Sequence, residues 1–302
     1  MKKCLVLMGT YNGERFLREQ IDSILVQKGV EIFLKVADDR STDKTVEILR
    51  EYAEKYPNVS YSVNETNKNF TYNFIDLFFS CKNDAEYDYY AFSDQDDIWL
   101  EDKIIRAIEK IEEKEETQNG TVYCSNLVVV DGELNKLSMQ EDETIFKTSP
   151  KTYFYENIAT GCTMVFCRKF FEHATKYYPE SIRLHDYWLF LIAVYTADYV
   201  YDFDGYILYR QHGNNQIGTN KGKLSLAKVK KAFKTKGNNV RLITELFSGF
   251  SGDIKEIYRQ DLIMIRDYKK SIKKRFKFAF SRKYKGRKSR LLIAGKVFLG
   301  LY

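Results

Sequence analysis

The chain has 302 residues, 44% hydrophobic and 30% charged, which is enough apolar content for a sizeable core and too much for a disordered chain. Its five cysteines (Cys4, Cys81, Cys124, Cys162, Cys167) are odd in number and form no Cys-x-x-Cys pair, so neither a disulfide framework nor a zinc site is suggested and a reducing cytosol is the expected home. The net charge of +6 conceals an asymmetry: residues 268–302 hold 13 Lys/Arg and no acid, while the rest of the chain carries 35 basic against 42 acidic residues.

Met1-Lys2-Lys3 followed by Cys4–Met8 has too short an apolar run for a signal peptide, and no run reaches the roughly 18 residues that a membrane-spanning helix needs. Residues 3–9 read as a strand. The next segment, NGERFLREQIDSILVQ, places Phe16, Leu17, Ile21, Ile24 and Leu25 at helical spacing. A second strand (31–37) runs into DDRSTD. A helix follows with Val46, Leu49, Tyr52, Ala53 and Tyr56 on one face, stopped by Pro57. A third strand (59–63), a helix near 70–81 and an aromatic strand ending at Phe92 complete the first half. Strands alternating with helices at this rhythm predict a largely parallel sheet with helices on both faces.

Ligands of such sheets gather at the carboxyl ends of the strands. The polar groups placed just after strands are Thr10-Tyr11-Asn12-Gly13, Asp38-Asp39 and Asp94-Gln95-Asp96-Asp97, and all three should meet on one edge. Beyond residue 100 come a charged helix (about 101–118), strands near 121–130 and 161–167, and an apolar helix opened by His185-Asp186. A boundary is expected near 215–222, where glycines and asparagines cluster, leaving residues 1–218 as one domain and 219–302 as a basic helical region. There is no internal repeat.

Three carboxylates within four positions repel one another unless a cation, a cap or solvent answers them. Asp94 and Asp96 are two apart and point the same way on an extended chain, and their hard oxygens favour Mg2+ or Mn2+. Asp97 could instead cap the helix that starts near Trp99 to Asp102, as Ser41 or Asp43 could cap the helix after the second strand. Thr10 and Tyr11 sit on the first strand-to-helix loop, where a hydroxyl can bond a nucleotide and a ring can stack on a base. His185 and Asp186 are two candidate bases. In YRQHGNN, Arg210 and His212 could both face a phosphate or a metal, or belong to a loop packed under the basic tail.

GTYNGERFLREQIDSILVQ, ADDRSTDKT, FSDQDDIW, HDYW and YRQHGNN, in that order, resemble the inverting family 2 glycosyltransferases of the GT-A fold, especially the branch that builds bacterial surface polysaccharides and includes many rhamnosyltransferases. The resemblance covers roughly residues 3–218. It implies that Asp96 is a metal ligand, with His212 a second, and that Asp94 and Gln95 lie on the nucleotide side. Asp39 would accept a hydrogen bond from the base N3–H of uracil or thymine. Asn73 falls near the donor-side loop, and Asp186 is the general base. Many relatives carry Gly where this chain has Arg40, which is a departure in the turn. The resemblance further implies transfer from a nucleotide sugar, with dTDP-rhamnose the first guess and UDP-linked hexoses or N-acetylhexosamines next, to a glycan or lipid-linked glycan acceptor. Rival readings are an inactive nucleotide-binding module and a nucleotidyltransferase, though no Gly-rich, Lys-bearing phosphate loop appears.

The tail interleaves Lys/Arg with Phe276, Phe278, Phe280 and Tyr284 and ends LLIAGKVFLGLY. Charge and aromatics alone admit nucleic acid, but the acidic body and the apolar end favour an interfacial anchor on anionic lipid. The expected setting is therefore cytoplasmic and peripheral, on the inner face of the membrane, with no nucleic-acid partner.

Overall fold

The computed structural model describes residues 1–84, 86–114, 117–140, 157–211 and 239–280, together with 294, 295, 297, 298 and 300. Within them β1 (Lys2–Thr10), β2 (Val30–Asp38), β3 (Val59–Val63) and β4 (Tyr89–Ser93) alternate with α1 (Leu17–Leu25), α2 (Thr45–Lys55) and α3 (Asn69–Ser80). Next come β5 (Ile98–Trp99), α4 (Lys103–Glu112), β6 (Thr121–Val130) and β7 (Lys136–Met139). After these lie β8 (Val165–Cys167), α5 (Arg168–Ala174), α6 (His185–Thr196) and β9 (Asp198–Arg210). The C-terminal part contributes α7 (Asn239–Phe250), α8 (Glu256–Asp267) and α9 (Ile272–Ala279). The expected early elements are present within a residue or two. The expected strand at 161–167 begins as a 3-10 turn over Gly161–Thr163. Strands β5, β7 and β9 and helix α5 carry patterns too short or too mixed to be read from sequence.

The sheet order is β3-β2-β1-β4-β8-β6-β9-β5, with β7 on β6. Strands β3, β2, β1 and β4 run parallel, β8 is antiparallel to both β4 and β6, and β9 runs parallel to β6. Because the chain steps outward from β1 to β3 and then returns to β4 on the other side of β1, the order reverses at the β1/β4 crevice. In open α/β sheets such a switch point is where ligands enter.

Alternation along β1 divides the core in two. Leu5 and Leu7 face a cluster with Phe74 and Phe78 of α3 and all of the apolar side chains of α6, whereas Cys4, Val6 and Met8 face α1, α2 and α4. Every residue of α6 is buried, including His185 and Asp186. A helix that is apolar all round needs cover on every side. The sheet supplies one side and the C-terminal helices the other: Leu242, Ile243, Leu246, Phe250, Leu262, Ile265, Tyr268 and Phe278 belong to the same cluster. Glu245 fastens this contact by accepting hydrogen bonds from the Tyr177 hydroxyl (2.7 Å) and from the backbone N–H groups of Glu180 and Ser181 (both 3.1 Å). The sequence boundary at 215–222 and His212 lie outside the described residues, but helices α7 to α9 beyond it complete the core around α6.

This packing predicts cooperative unfolding. Leu246→Ala should destabilise by about 2–5 kcal/mol, the cost of a large-to-small change in a close-packed site. Denaturation followed through the buried indole of Trp188, whose ring centroid lies 6.3 Å from that of Phe250, should shift as one transition. If the Trp188 transition is unmoved, the C-terminal helices fold separately.

Candidate active site

The loops after β1 and β2 are joined by side-chain to backbone bonds. Asp38, fully buried at the end of β2, accepts from the Thr10 hydroxyl (2.9 Å), the Ser41 N–H (2.8 Å) and the Ser41 hydroxyl (2.5 Å). The Ser41 hydroxyl in turn accepts the N–H of Asn12 (2.8 Å), and the Asn12 carbonyl oxygen accepts the N–H of Thr42 (2.8 Å). Asp43 accepts the N–H of Glu14 (3.1 Å) and the N–H and hydroxyl of Thr45 (3.0 and 2.5 Å). Asp43 therefore receives the first N–H of α2, while Ser41 serves the turn. Arg40 takes φ +67°, the left-handed conformation that glycine adopts freely, so the turn keeps a glycine-like shape with an arginine in it.

Thr10, expected to face a nucleotide, has its hydroxyl committed to Asp38. Tyr11 stands 43% exposed at the mouth of the crevice. Gln95 holds it there from the other loop: its Oε1 accepts the Tyr11 N–H (2.8 Å) and its Nε2 donates to the Tyr11 carbonyl (3.0 Å). A side chain at Gly13 would collide with that amide. Gln95 thus latches two loops across the switch point.

Asp39 is buried, and its Oδ1 accepts from Asn64 Nδ2 (3.0 Å) and the Lys68 N–H (2.7 Å). Hydrogen bonds among the described residues engage only this one oxygen. Asn73 lies behind Asp39: its Nδ2 donates to the Ala37 carbonyl (2.8 Å) and its Oδ1 accepts from Asn64 (2.8 Å). Its amide is occupied, so it supports Asn64 from the second layer.

The acidic loop after β4 divides. Asp94, Gln95 and Asp96 keep partial exposure, whereas Asp97 is fully buried. Asp97 caps no helix, because α4 starts later, behind Asp102. Its Oδ1 accepts the backbone N–H of Arg210 (3.2 Å), and its Oδ2 is buried with no hydrogen-bond partner among the described residues. Donor atoms of Asp94, Asp97 and Cys162 all lie within 4.8 Å of one another. Burial, then the charges of Asp96 and Asp186, push the Asp94 carboxyl up to about 7, while burial and the charges of Asp96 and Asp94 push Asp97 well above its usual range. Burial and the adjacent carboxylates also raise the Cys162 thiol well above its usual range. Mutual repulsion, an orphaned buried carboxylate oxygen and hard oxygen donors at the cleft fit a divalent cation. Beneath the cluster lies Lys103, completely buried, its Nζ 3.6 Å from the Trp99 ring centroid and lowered to about 8 by burial.

His185 and Asp186 separate clearly. The His185 ring stacks on Phe74 at 4.2 Å and meets Phe70 and Phe92 edge-on, and both its nitrogens are buried without hydrogen-bond partners among the described residues. Burial lowers it to about 3, so it is a neutral aromatic core group. Asp186 accepts the N–H of Tyr187 (2.6 Å) at Oδ1 and that of Gly161 (3.2 Å) at Oδ2. Burial nevertheless raises it to about 6, against the opposing pull of those bonds. Gly161 must be glycine, since a Cβ there would sit 2.9 Å from His185 Nε2.

Arg210, expected to reach a diphosphate, instead turns its guanidinium into the body. It pairs with Glu19 of α1, donates to the Gly132 carbonyl (3.1 Å) and lies over the Phe16 ring (4.6 Å). Its backbone N–H reaches the acid cluster at Asp97. The sequence reading missed Cys162, Asn64 and Lys103. The first two stand in contexts with no local signal, but Lys103, Ala107 and Ile111 share a helical face, and that spacing could have flagged a lysine on a buried stripe.

The comparisons agree with this geometry. Residues 5–175 match the family model "Glycosyl transferase family 2". The chain is 38% identical over 230 residues to "dTDP-rhamnosyl transferase RfbG" of Shigella flexneri, covering 70% of this chain and 74% of that protein. It is 39% identical over 97 residues to "Putative glycosyltransferase EpsE" of Bacillus subtilis, covering 32% and 34%. Among solved structures, S. aureus TarS with UDP-GlcNAc superposes with TM-score 0.60 at 18% identity, covering 100% of this chain and 82% of that one. The mannosyltransferase PcManGT of Pyrobaculum calidifontis, with GDP-Man and Mn2+, gives 0.55 at 14% identity, covering 99% and 80%. The crevice at the β1/β4 switch point, with its acid cluster and the carboxylate at the head of α6, is carried by a member of glycosyl transferase family 2 with the GT-A fold.

Proposed function

We propose that the chain moves a sugar, with inversion, from a nucleotide-diphosphate donor to a hydroxyl of a glycan or lipid-linked glycan in surface-polysaccharide synthesis. The observation that carries this reading is the pair of raised carboxyls at one edge, Asp94 at about 7 and the buried Asp186 at about 6, close enough that the charge of Asp186 contributes to raising Asp94. One belongs to the acid-rich loop suited to a donor, and the other has an acidity suited to proton transfer near neutral pH.

In this reading Tyr11 stacks on the base and Asp39 accepts its N3–H. Asp94 and Asp96, the partly exposed acids of the loop, would hold a Mg2+ or Mn2+ ion, with Asp97 and Cys162 behind them. Such an ion neutralises charge on the departing diphosphate. The acceptor oxygen attacks the anomeric carbon, the bond from that carbon to the diphosphate oxygen breaks, and the nucleoside diphosphate leaves with the electron pair. The acceptor proton passes to Asp186. The dTDP-rhamnosyl activity named for the Shigella relative supports dTDP-rhamnose as the first donor to test, and the UDP-GlcNAc and GDP-Man complexes of the structural neighbours support a nucleotide-sugar site and, in one, Mn2+. Lipid-linked acceptors would place the enzyme on the inner face of the membrane.

Asp186→Asn should leave donor affinity near wild type while transfer falls by about 10²–10⁴-fold, and His185→Phe should keep its transfer rate; the opposite pattern would assign the base to the histidine. Wild-type turnover should lose activity as pH falls through about 6, because the base must be ionised and burial has raised it to that value. Asp96→Ala should abolish Mn2+-dependent donor binding in calorimetry, and Gln95→Ala should raise the donor KM about tenfold with kcat little changed, since two hydrogen bonds worth ~1 kcal/mol each hold Tyr11. Donor hydrolysis across a panel of nucleotide sugars identifies the base and sugar, and a chain that binds donors but hydrolyses and transfers none is a binding module.

A further inference from the structure

Helix α9 presents two opposite faces. Phe278 and Ala279 are buried in the core, with Phe278 against Tyr268 at 5.5 Å, and Ser271 caps the helix by accepting the Lys274 N–H (3.2 Å). The other face carries Ile272, Phe276 and Phe280 at successive spacings of four, 73%, 48% and 69% exposed. Phe298, 40% exposed, closes the group: its ring lies 5.0 Å from Phe276 and 6.1 Å from Phe280, while Phe276 and Phe280 stack at 5.9 Å. Ile272 and Phe276 on the helix, Phe280 at its C-terminal end and Phe298 packed on the two phenylalanines form an exposed apolar contact surface.

The charges beside this surface say what it meets. Lys270 and Lys274 are drawn to Asp267, at 3.0 and 3.8 Å. Lys273 and Lys277, exposed on the turns that flank the phenylalanines, make no ion pair among the described residues. No acid occurs anywhere in residues 268–302. An apolar stripe bordered by unneutralised lysines, on a strongly basic segment, matches a surface that is apolar inside and anionic at its edge.

We propose that Ile272, Phe276, Phe280 and Phe298 form a wedge that inserts into an anionic lipid surface, with Lys273 and Lys277 on the headgroups. The wedge deepens the membrane setting proposed above and rests on it only for the nature of the acceptor. Because α9 is anchored to the cluster that also buries α6, insertion fixes the orientation of the catalytic edge relative to the bilayer.

The test uses the full chain and sedimentation with phosphatidylglycerol-containing or pure phosphatidylcholine vesicles. The wild type should bind the anionic vesicles, weakly or not at all the neutral ones, and less in high salt. Phe276→Ser/Phe280→Ser should weaken binding by at least about tenfold, and Lys273→Gln/Lys277→Gln should weaken binding to the anionic vesicles and reduce its salt dependence; all these positions are exposed, so melting temperature and donor binding should not change. Both native tryptophans are buried, so Phe280→Trp gives a site-specific reporter whose emission should shift to the blue on anionic vesicles. Unchanged binding in the double phenylalanine variant overturns the proposal, as does a dimer in sedimentation velocity that the same variant dissolves, or binding to nucleic acid in preference to vesicles. A chain that transfers sugar yet ignores vesicles also overturns it while leaving the enzyme reading intact, and a chain that binds vesicles but turns over no donor fails that reading alone.

Discussion

Carboxylates kept close together against their own repulsion are the constraint on which the rest of the structure depends. Asp94 lies close to Asp97 and feels the charge of Asp186 where the sheet order reverses, and the acidities of Asp94 and Asp186 rise to about 7 and about 6. An isolated loop with this composition would swing outward and solvate its charges. Here it cannot, because Gln95 bonds both polar atoms of the Tyr11 backbone, Asp97 accepts the Arg210 N–H, and Arg210 is tied to Glu19 and Phe16. The buried ammonium of Lys103 below adds an opposite charge. The site therefore carries electrostatic strain that a cation or a protonation event relieves.

Helix α6 connects that constraint to the remainder of the chain. Its first residues carry the aromatic His185 and the acidic Asp186, and its whole circumference is buried. Cover from α7 and α8 fixes the helix axis, the His185 stack on Phe74 fixes its start, and Gly161 allows the backbone to come close enough to bond Asp186. Helices α7 and α8 are thus structural partners of the edge that carries Asp186, and positions such as Leu246 bear on the placement of that carboxylate.

Much of this was legible in the sequence. Alternation in β1 and β2, helical spacing in α1 to α3 and polar residues after each strand were enough to locate the edge and to bring Thr10, Asp39 and Asp94 to it, whereas Asp186 was placed there by resemblance alone. What local pattern could not give was the use of each side chain. Asp97 reads as a helix cap by position, yet β5 intervenes and the residue is buried by β9, a strand whose register is set more than a hundred residues away. Arg210 reads as a phosphate ligand by chemistry, yet Glu19 and Phe16 on α1 claim its guanidinium. Asn73 reads as a ligand contact by resemblance, yet it stands one layer behind. Long-range partners decided each case, and only Lys103 left a trace in its own periodicity.

The measurement that tests the central claim most directly is thermal unfolding of the wild type and of Asp94→Asn/Asp186→Asn between pH 5 and 7.5, with and without Mn2+. A carboxyl whose folded pKa is raised stabilises the fold while protonated and loses that contribution as pH rises through the folded value. The wild type without cation should therefore lose stability relative to the double variant as pH rises toward about 6, less steeply from there to about 7, and level off above, and Mn2+ should restore it in the wild type alone. Parallel melting curves across that range, unmoved by the cation, would contradict the account.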